Sequence, residues 1–190
     1  NRGKGAITVE QLLRHRTGLI ADNPLADYAD GPENAWARLA RLPLQSRPGE
    51  RFLYSDVNYL ILAKIIERVS GRSVDRFAAD HIFGPLEMKD SGFRGTETRR
   101  CITRDSPLIP AADATVPLPI RVPADRIGDI RRIAPTGRQA GAWETPFWGI
   151  VHDPRSRALG GVAGHAGLFG TADDLAIFAQ MILDGGRTRQ

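Results

Sequence analysis

Apolar residues recur at helical spacing in several stretches of the chain, and each stretch is framed by residues suited to starting or stopping a helix. The densest run is Val57, Leu60, Ile61, Leu62, Ile65, Ile66 and Val69, which leaves only a narrow polar stripe and predicts a mostly buried helix. Ser55 is placed to cap it through its hydroxyl, Asp56 suits the positive end of the dipole, and Gly71 closes it. Upstream, Pro48-Gly49 reads as a turn and Arg51 to Tyr54 as a short extended piece. A tyrosine directly before such a helix is expected to be rigidly held.

The other stretches follow the same logic. Thr8 and Gln11 form a capping-box pattern, so a helix is expected from Val9 to about Arg16, with Val9, Leu12 and Leu13 inward and Gly18 at its end. His15 falls in its last turn, where a cation suits the dipole. Asp30, Pro32 and Glu33 signal a helix that buries Ala35, Trp36, Leu39 and Ala40 and stops at Pro43. Ser73 caps another to about His81. Thr171 caps a last one, Ala172 to about Asp184, with Leu175, Phe178, Ala179, Ile182 and Leu183 inward and Gly185-Gly186 closing it. Thr96 to Trp148 is rich in proline and poor in periodicity, and reads as an irregular excursion with short strands at most.

Composition narrows the function classes. At 190 residues and 42% hydrophobic content the chain can bury a substantial core. Its net charge of +4 comes from arginines scattered along the chain, without a basic block or interleaved aromatics, which argues against nucleic-acid binding. A single cysteine, Cys101, excludes an internal disulfide, and no Cys and His spacing matches a structural zinc site. No apolar run has the length of a membrane span.

Tyr54-Ser55-Asp56, read with its flanks, resembles the Tyr-Ser-Asn box of class C β-lactamase-like serine hydrolases, the superfamily that includes DD-peptidases and related esterases. ITVEQLLRHRTGL (Ile7 to Leu19) resembles that family's LLxHxSGL signature, and IFGPLEMKDSGF (Ile82 to Phe93) its PLGM.DTGF turn. GGVAGHAGLFGTADDLAIFAQMIL (Gly160 to Leu183) resembles its Gly-rich loop and following helix. The resemblance covers nearly the whole chain and is weakest from Gly95 to Ile130.

The resemblance implies a Ser-x-x-Lys nucleophile, the box tyrosine, and a late Lys-Thr-Gly or His-x-Gly triplet. Tyr54 is therefore the expected catalytic residue, against the alternative of a packed, hydrogen-bonded tyrosine. Asp56 stands where the family commonly has Asn, so it lines the expected site as a carboxylate beside the lysine and puts β-lactam turnover in doubt. His165 and Gly167 are candidates to line the site as a His-x-Gly triplet, with a close-packed Gly-rich turn as the alternative. His152, Asp153 and His165 form a loose cluster read as loop hydrogen bonding, and no metal is assigned. The lysines are Lys4, Lys64 and Lys89, and Asn1, Ile61 and Leu86 lie three places before them, so no Ser-x-x-Lys occurs in these 190 residues.

The expected fold is α/β, of the serine β-lactamase or DD-peptidase type, as one partial domain over 1–190 with most of the antiparallel sheet missing. Within it, 1–95 is a helical part with the Tyr-Ser-Asp box, 96–150 an irregular Pro-rich excursion carrying substrate-specific loops, and 151–190 a Gly-rich loop plus helix. The expected function is that of a serine hydrolase fragment, truncated at both ends. Its parent forms an acyl-enzyme with an ester, D-alanyl peptide or β-lactam, and the fragment alone is inactive. The alternative is a non-catalytic, penicillin-binding-protein-like domain that binds cell-wall peptide or a protein partner. No cofactor is implied, the partners are small-molecule or peptide substrates, and family resemblance suggests a periplasmic or secreted parent.

Overall fold

Helix α3 (Asp56–Ser70) forms where the apolar spacing is densest, and its buried residues Val57, Asn58, Leu60 and Ala63 all lie in its first half. The structure is a computed structural model that describes residues 3–94, 133–138 and 146–187. In chain order the helices are α1 (Val9–Leu13), α2 (Pro32–Arg41), α3, α4 (Val74–Ala78), α5 (Pro154–Ala158) and α6 (Ala172–Leu183). The strands are β1 (Gly92–Phe93), β2 (Pro135–Arg138), β3 (Pro146–Trp148) and β4 (Leu168–Phe169). β1 pairs antiparallel with β4, Gly92 opposite Phe169, and β2 with β3 across an irregular register. The described residues are thus largely helical with small antiparallel pairs, as an incomplete α/β unit should be.

Two apolar clusters hold these elements. The first joins Leu19, Leu39 of α2, Val57 and Leu60 of α3, and Ala163 of the Gly-rich loop, with Trp36, Ile61 and Leu159 packed around them. Each of its fully buried leucines and valines contributes about 1.5–3 kcal/mol of transfer free energy. The second joins Ala78 of α4, Phe83 and Met88, and Phe178 of α6 leans on it. Asp174 of α6, nearly buried, accepts the backbone N–H of Asp90 at 2.9 Å, so the two sequence-distant motifs share a hydrogen bond as well as the β1–β4 pair.

Several expectations hold in detail. Thr8 and Gln11 make both bonds of the capping box, Thr171 accepts from the N–H of Asp174, and Gly71, Gly185 and Gly186 adopt the left-handed backbone that ends a helix. Others are corrected. Helix α1 stops at Leu13 because His15 itself turns left-handed (φ 54°), and Val9 and Leu13 are about half exposed. Ser55 precedes α3 but its hydroxyl accepts no N–H of the first turn and is turned instead to the Ile20 carbonyl, to which it donates. Ser73 likewise makes no side-chain cap, and α4 runs on as a π-helical turn (Ala79–Phe83). The second half of α3 is not buried, with Val69 83% exposed. On α6, Leu175, Ile182 and Leu183 face outward, because no described element covers that side. Helix α5 was hidden in the Gly-rich stretch; Asp153 caps it and Pro154 opens it. Cys101 and most of the Pro-rich excursion lie outside the described residues.

Candidate active site

The Tyr-Ser-Asp box is built by stitching Leu53 to Asp56 onto His15 to Ala21. The N–H of Leu53 donates to the His15 carbonyl at 2.9 Å, and the N–H of Ser55 donates to Nδ1 of the His15 ring at 3.1 Å. Ser55 Oγ donates to the Ile20 carbonyl at 2.6 Å, and the N–H of Asp56 to the Ala21 carbonyl at 2.9 Å. Below this seam, Thr17 Oγ1 donates to Asn58 Oδ1 at 2.7 Å, with both residues buried. Gly18 must be glycine, since its φ is 80° and a Cβ would collide with the Ser46 carbonyl oxygen. The two motifs, about forty residues apart in sequence, are one piece of structure.

Tyr54 emerges from this seam toward solvent and is 64% exposed. Its ring lies tilted against that of His15, centroids 4.6 Å apart, and Tyr59 also packs on His15 at 5.1 Å. Tyr59 is fastened in turn by its hydroxyl, which donates to the Leu13 carbonyl at 3.2 Å. The phenol is therefore presented, rather than packed away in the core.

Asp56, half-buried in the first turn of α3, lies in an acidic neighbourhood. Burial raises the carboxyl of Asp22 above the usual carboxylate range; Arg155 opposes that rise from an ion pair at 2.8 Å, and the charges of Asp56 and Asp153 add to it. Arg155 also donates twice to the Asn23 carbonyl. One arginine of α5 thus ties down Asp22 and Asn23, directly after the segment to which the box is bonded, and sets a cation in this acidic neighbourhood.

His165 is almost wholly buried, its Nε2 2.9 Å from Asp153 Oδ1. The same oxygen accepts the N–H of Ser156 at 2.6 Å as the cap of α5. Burial alone would raise the Asp153 carboxyl, but these two partners outweigh it and hold it below its ordinary value. A Cβ at Gly167 (φ 121°) would collide with the Gly161 carbonyl, and one at Gly164 with that of Tyr59. The close-packed turn foreseen as the alternative is thus present, seated on α3 one turn beyond Asp56. Tyr54 and Asp56 are together at the head of α3, whereas His165 and Gly167 belong to the packed turn beside it. A cleft of about 560 Å³ lined by Gly3, Leu44 to Pro48, Glu50 and Arg51 includes none of these four residues.

Sequence reasoning gave His15 to the helix dipole and passed over the Asp22–Arg155 pair. The histidine of LLRHRTGL was in plain view, but only the fold reveals that its ring meets the box. Among the described residues no group of three His, Cys, Asp or Glu side chains is arranged to hold a metal, and no helix is long and apolar enough to cross a membrane.

A helical layer headed by an exposed tyrosine, with the Gly-rich turn against its core helix, fits the fold shared by β-lactamases and penicillin-binding-protein homologues. The chain belongs to the β-lactamase family, whose model matches residues 1–190. A protein of Escherichia coli K12 provisionally named D-alanyl-D-alanine carboxypeptidase is 29% identical, over 97% of this chain and 40% of its own. A Salmonella typhimurium protein of the same name is 28% identical with the same coverage. The chain thus spans about two fifths of the length of these relatives.

Two solved structures share the fold. D-amino acid amidase from Ochrobactrum anthropi superposes with a TM-score of 0.56 at 21% identity, over 96% of this chain and 45% of the amidase. An octameric penicillin-binding protein homologue from Pyrococcus abyssi gives 0.59 at 23%, over 95% and 35%.

Proposed function

We propose that this chain supplies the box tyrosine of a serine hydrolase, whose nucleophilic serine and its lysine lie in the full-length protein outside these 190 residues. The observation that carries the reading is Tyr54: an exposed phenol, stacked on His15, in the box of a β-lactamase-family chain. As the serine oxygen adds to the substrate carbonyl, Tyr54 relays the serine proton to the departing amine or alkoxide. The acyl-enzyme is released by the same transfer run from water. The names of the Escherichia coli and Ochrobactrum relatives support an amide or peptide ending in a D-amino acid as substrate. Asp56 adds a carboxylate at the box position nearest the lysine, favouring its protonated form. The substrate's place in the cell wall implies an exported protein, which fractionation of the native host would test.

In the full-length protein, Tyr54→Phe should lower kcat by about 100- to 10,000-fold, roughly 3 to 5 kcal/mol of barrier. The melting temperature should hardly move, since an exposed ring keeps its stacking. Saturating turnover of a D-alanyl peptide and a melting curve, taken on both proteins, decide the matter. An unchanged kcat would leave Tyr54 structural. The second reading is a domain that binds cell-wall peptide without turnover, to be preferred if the full-length sequence contains no Ser-x-x-Lys. It predicts peptide binding by the full-length protein with no acyl adduct on any serine.

A further inference from the structure

Resting on the catalytic reading of Tyr54, we propose that His15 is its positioning residue, a neutral imidazole that fixes both the backbone and the ring of the tyrosine. The residues on either side of Tyr54 are bound to this one histidine: Leu53 donates to its carbonyl and Ser55 to its ring. Tyr54 itself lies on the ring face at 4.6 Å. With a side chain 64% exposed, the phenol has little else to define where its oxygen points.

The chemistry of the contact sets the protonation state. A backbone N–H can only donate, so Nδ1 of His15 carries no proton and the ring is the Nε2–H tautomer. Protonating Nδ1 would set two N–H groups against each other, so the box is intact only around the neutral ring. This assigns His15 a role distinct from proton transfer at that nitrogen.

The geometry around His15 is also held at a cost. Its backbone is left-handed (φ 54°), a conformation that few residues other than glycine adopt and in which Asn, Asp and His are enriched. That turn ends α1 and swings the imidazole back over the box. Tyr59 and Phe52, with ring centroids 5.1 and 5.9 Å from that of His15, crowd the imidazole further. A dipole-stabilised surface histidine would need none of these contacts.

The test uses the full-length protein and three substitutions, each alone and in a Tyr54→Phe background. His15→Asn keeps an acceptor near the place of Nδ1 and tolerates the left-handed backbone, but lacks the ring. His15→Phe keeps a ring and lacks the acceptor, and His15→Ala lacks both. A misplacement of about 1 Å costs on the order of 100-fold in rate. His15→Ala should therefore lower kcat by about that factor with KM changed by less than about 3-fold, and His15→Asn should recover part of the loss.

In the Tyr54→Phe background the His15 substitutions should have no further effect on kcat, because they act only through the phenol. Amide exchange at Ser55 should be slow in the parent and His15→Asn and fast in His15→Phe. The inference fails if Tyr54→Phe collapses kcat while His15→Asn and His15→Ala leave it intact, or if the losses multiply in the double variants. Should Tyr54→Phe itself leave kcat unchanged, the reading beneath it falls and the positioning role falls with it.

Discussion

At Ser55 the buried hydroxyl donates to the carbonyl of half-buried Ile20, so removing it takes away that acceptor's partner. Ser55→Ala should cost about 1–3 kcal/mol in urea unfolding of the full-length protein. Ser55→Asn, a good helix cap, should be no better, because capping is not the use made of this side chain. Tyr28 offers a second residue-scale test. It is buried, its hydroxyl donates to Asn23 Oδ1 at 2.8 Å, and burial, helped by the charge of Asp22, pushes its pKa up to about 12. The folded state thus holds the phenolic proton more tightly than the unfolded chain does. Its stabilisation is complete below pH 10 and disappears as the pH rises toward 12. Melting temperatures between pH 9 and 12 should fall less steeply for Tyr28→Phe than for the parent.

Elements here are joined by close backbone approach more than by long strands. Gly164 has ordinary backbone geometry, yet a Cβ there would run into the Tyr59 carbonyl and the Ala63 side chain of α3. Neither the loop nor the helix can retreat without opening the cluster around Ala163. Gly164→Ala should therefore cost at least the upper end of the roughly 1–3 kcal/mol typical of overpacking. Gly31, at the start of α2, has φ 101° but open space around it. Gly31→Ala should lose only backbone strain, about 1–3 kcal/mol, since φ 101° with ψ 166° is a region essentially confined to glycine. Comparing the two by denaturant midpoint separates steric from conformational demand, and equal losses would contradict the packing described for the loop. Helix α6 shows the other extreme. Its first turn is pinned by Thr171 and Asp174 and Phe178 packs inward, while Leu175, Ile182 and Leu183 are more than half exposed.

For the whole molecule, that uncovered surface is the main consequence. Leu175, Ile182 and Leu183 of α6, Leu168 of β4 and Val69 of α3 are all more than half exposed. Apolar area on this scale drives self-association in water. The 190 residues expressed alone should bind a hydrophobic dye and elute as a mixture of sizes, whereas the full-length protein should do neither. A monodisperse, dye-silent chain with a sharp melt would show that these faces need no cover.

Local chemistry was legible wherever it acts within a few residues. The capping box at Thr8, the cap at Thr171, the proline start of α2 and the left-handed glycines after α3 and α6 follow from near-neighbour sterics and hydrogen bonds. The motif order carried the family as well. What α3 and α6 bury was not legible, because helical periodicity tells which residues share a face but not whether anything covers it. Nor could the sequence choose between capping and cross-chain bonding for Ser55, or between dipole and box for His15. Those choices compare a local partner with one about forty residues away, and only the fold brings the distant one within 3.1 Å. The box motif placed Tyr54 at the head of a helix; the turn at His15 decided that its phenol stands in solvent with a ring behind it.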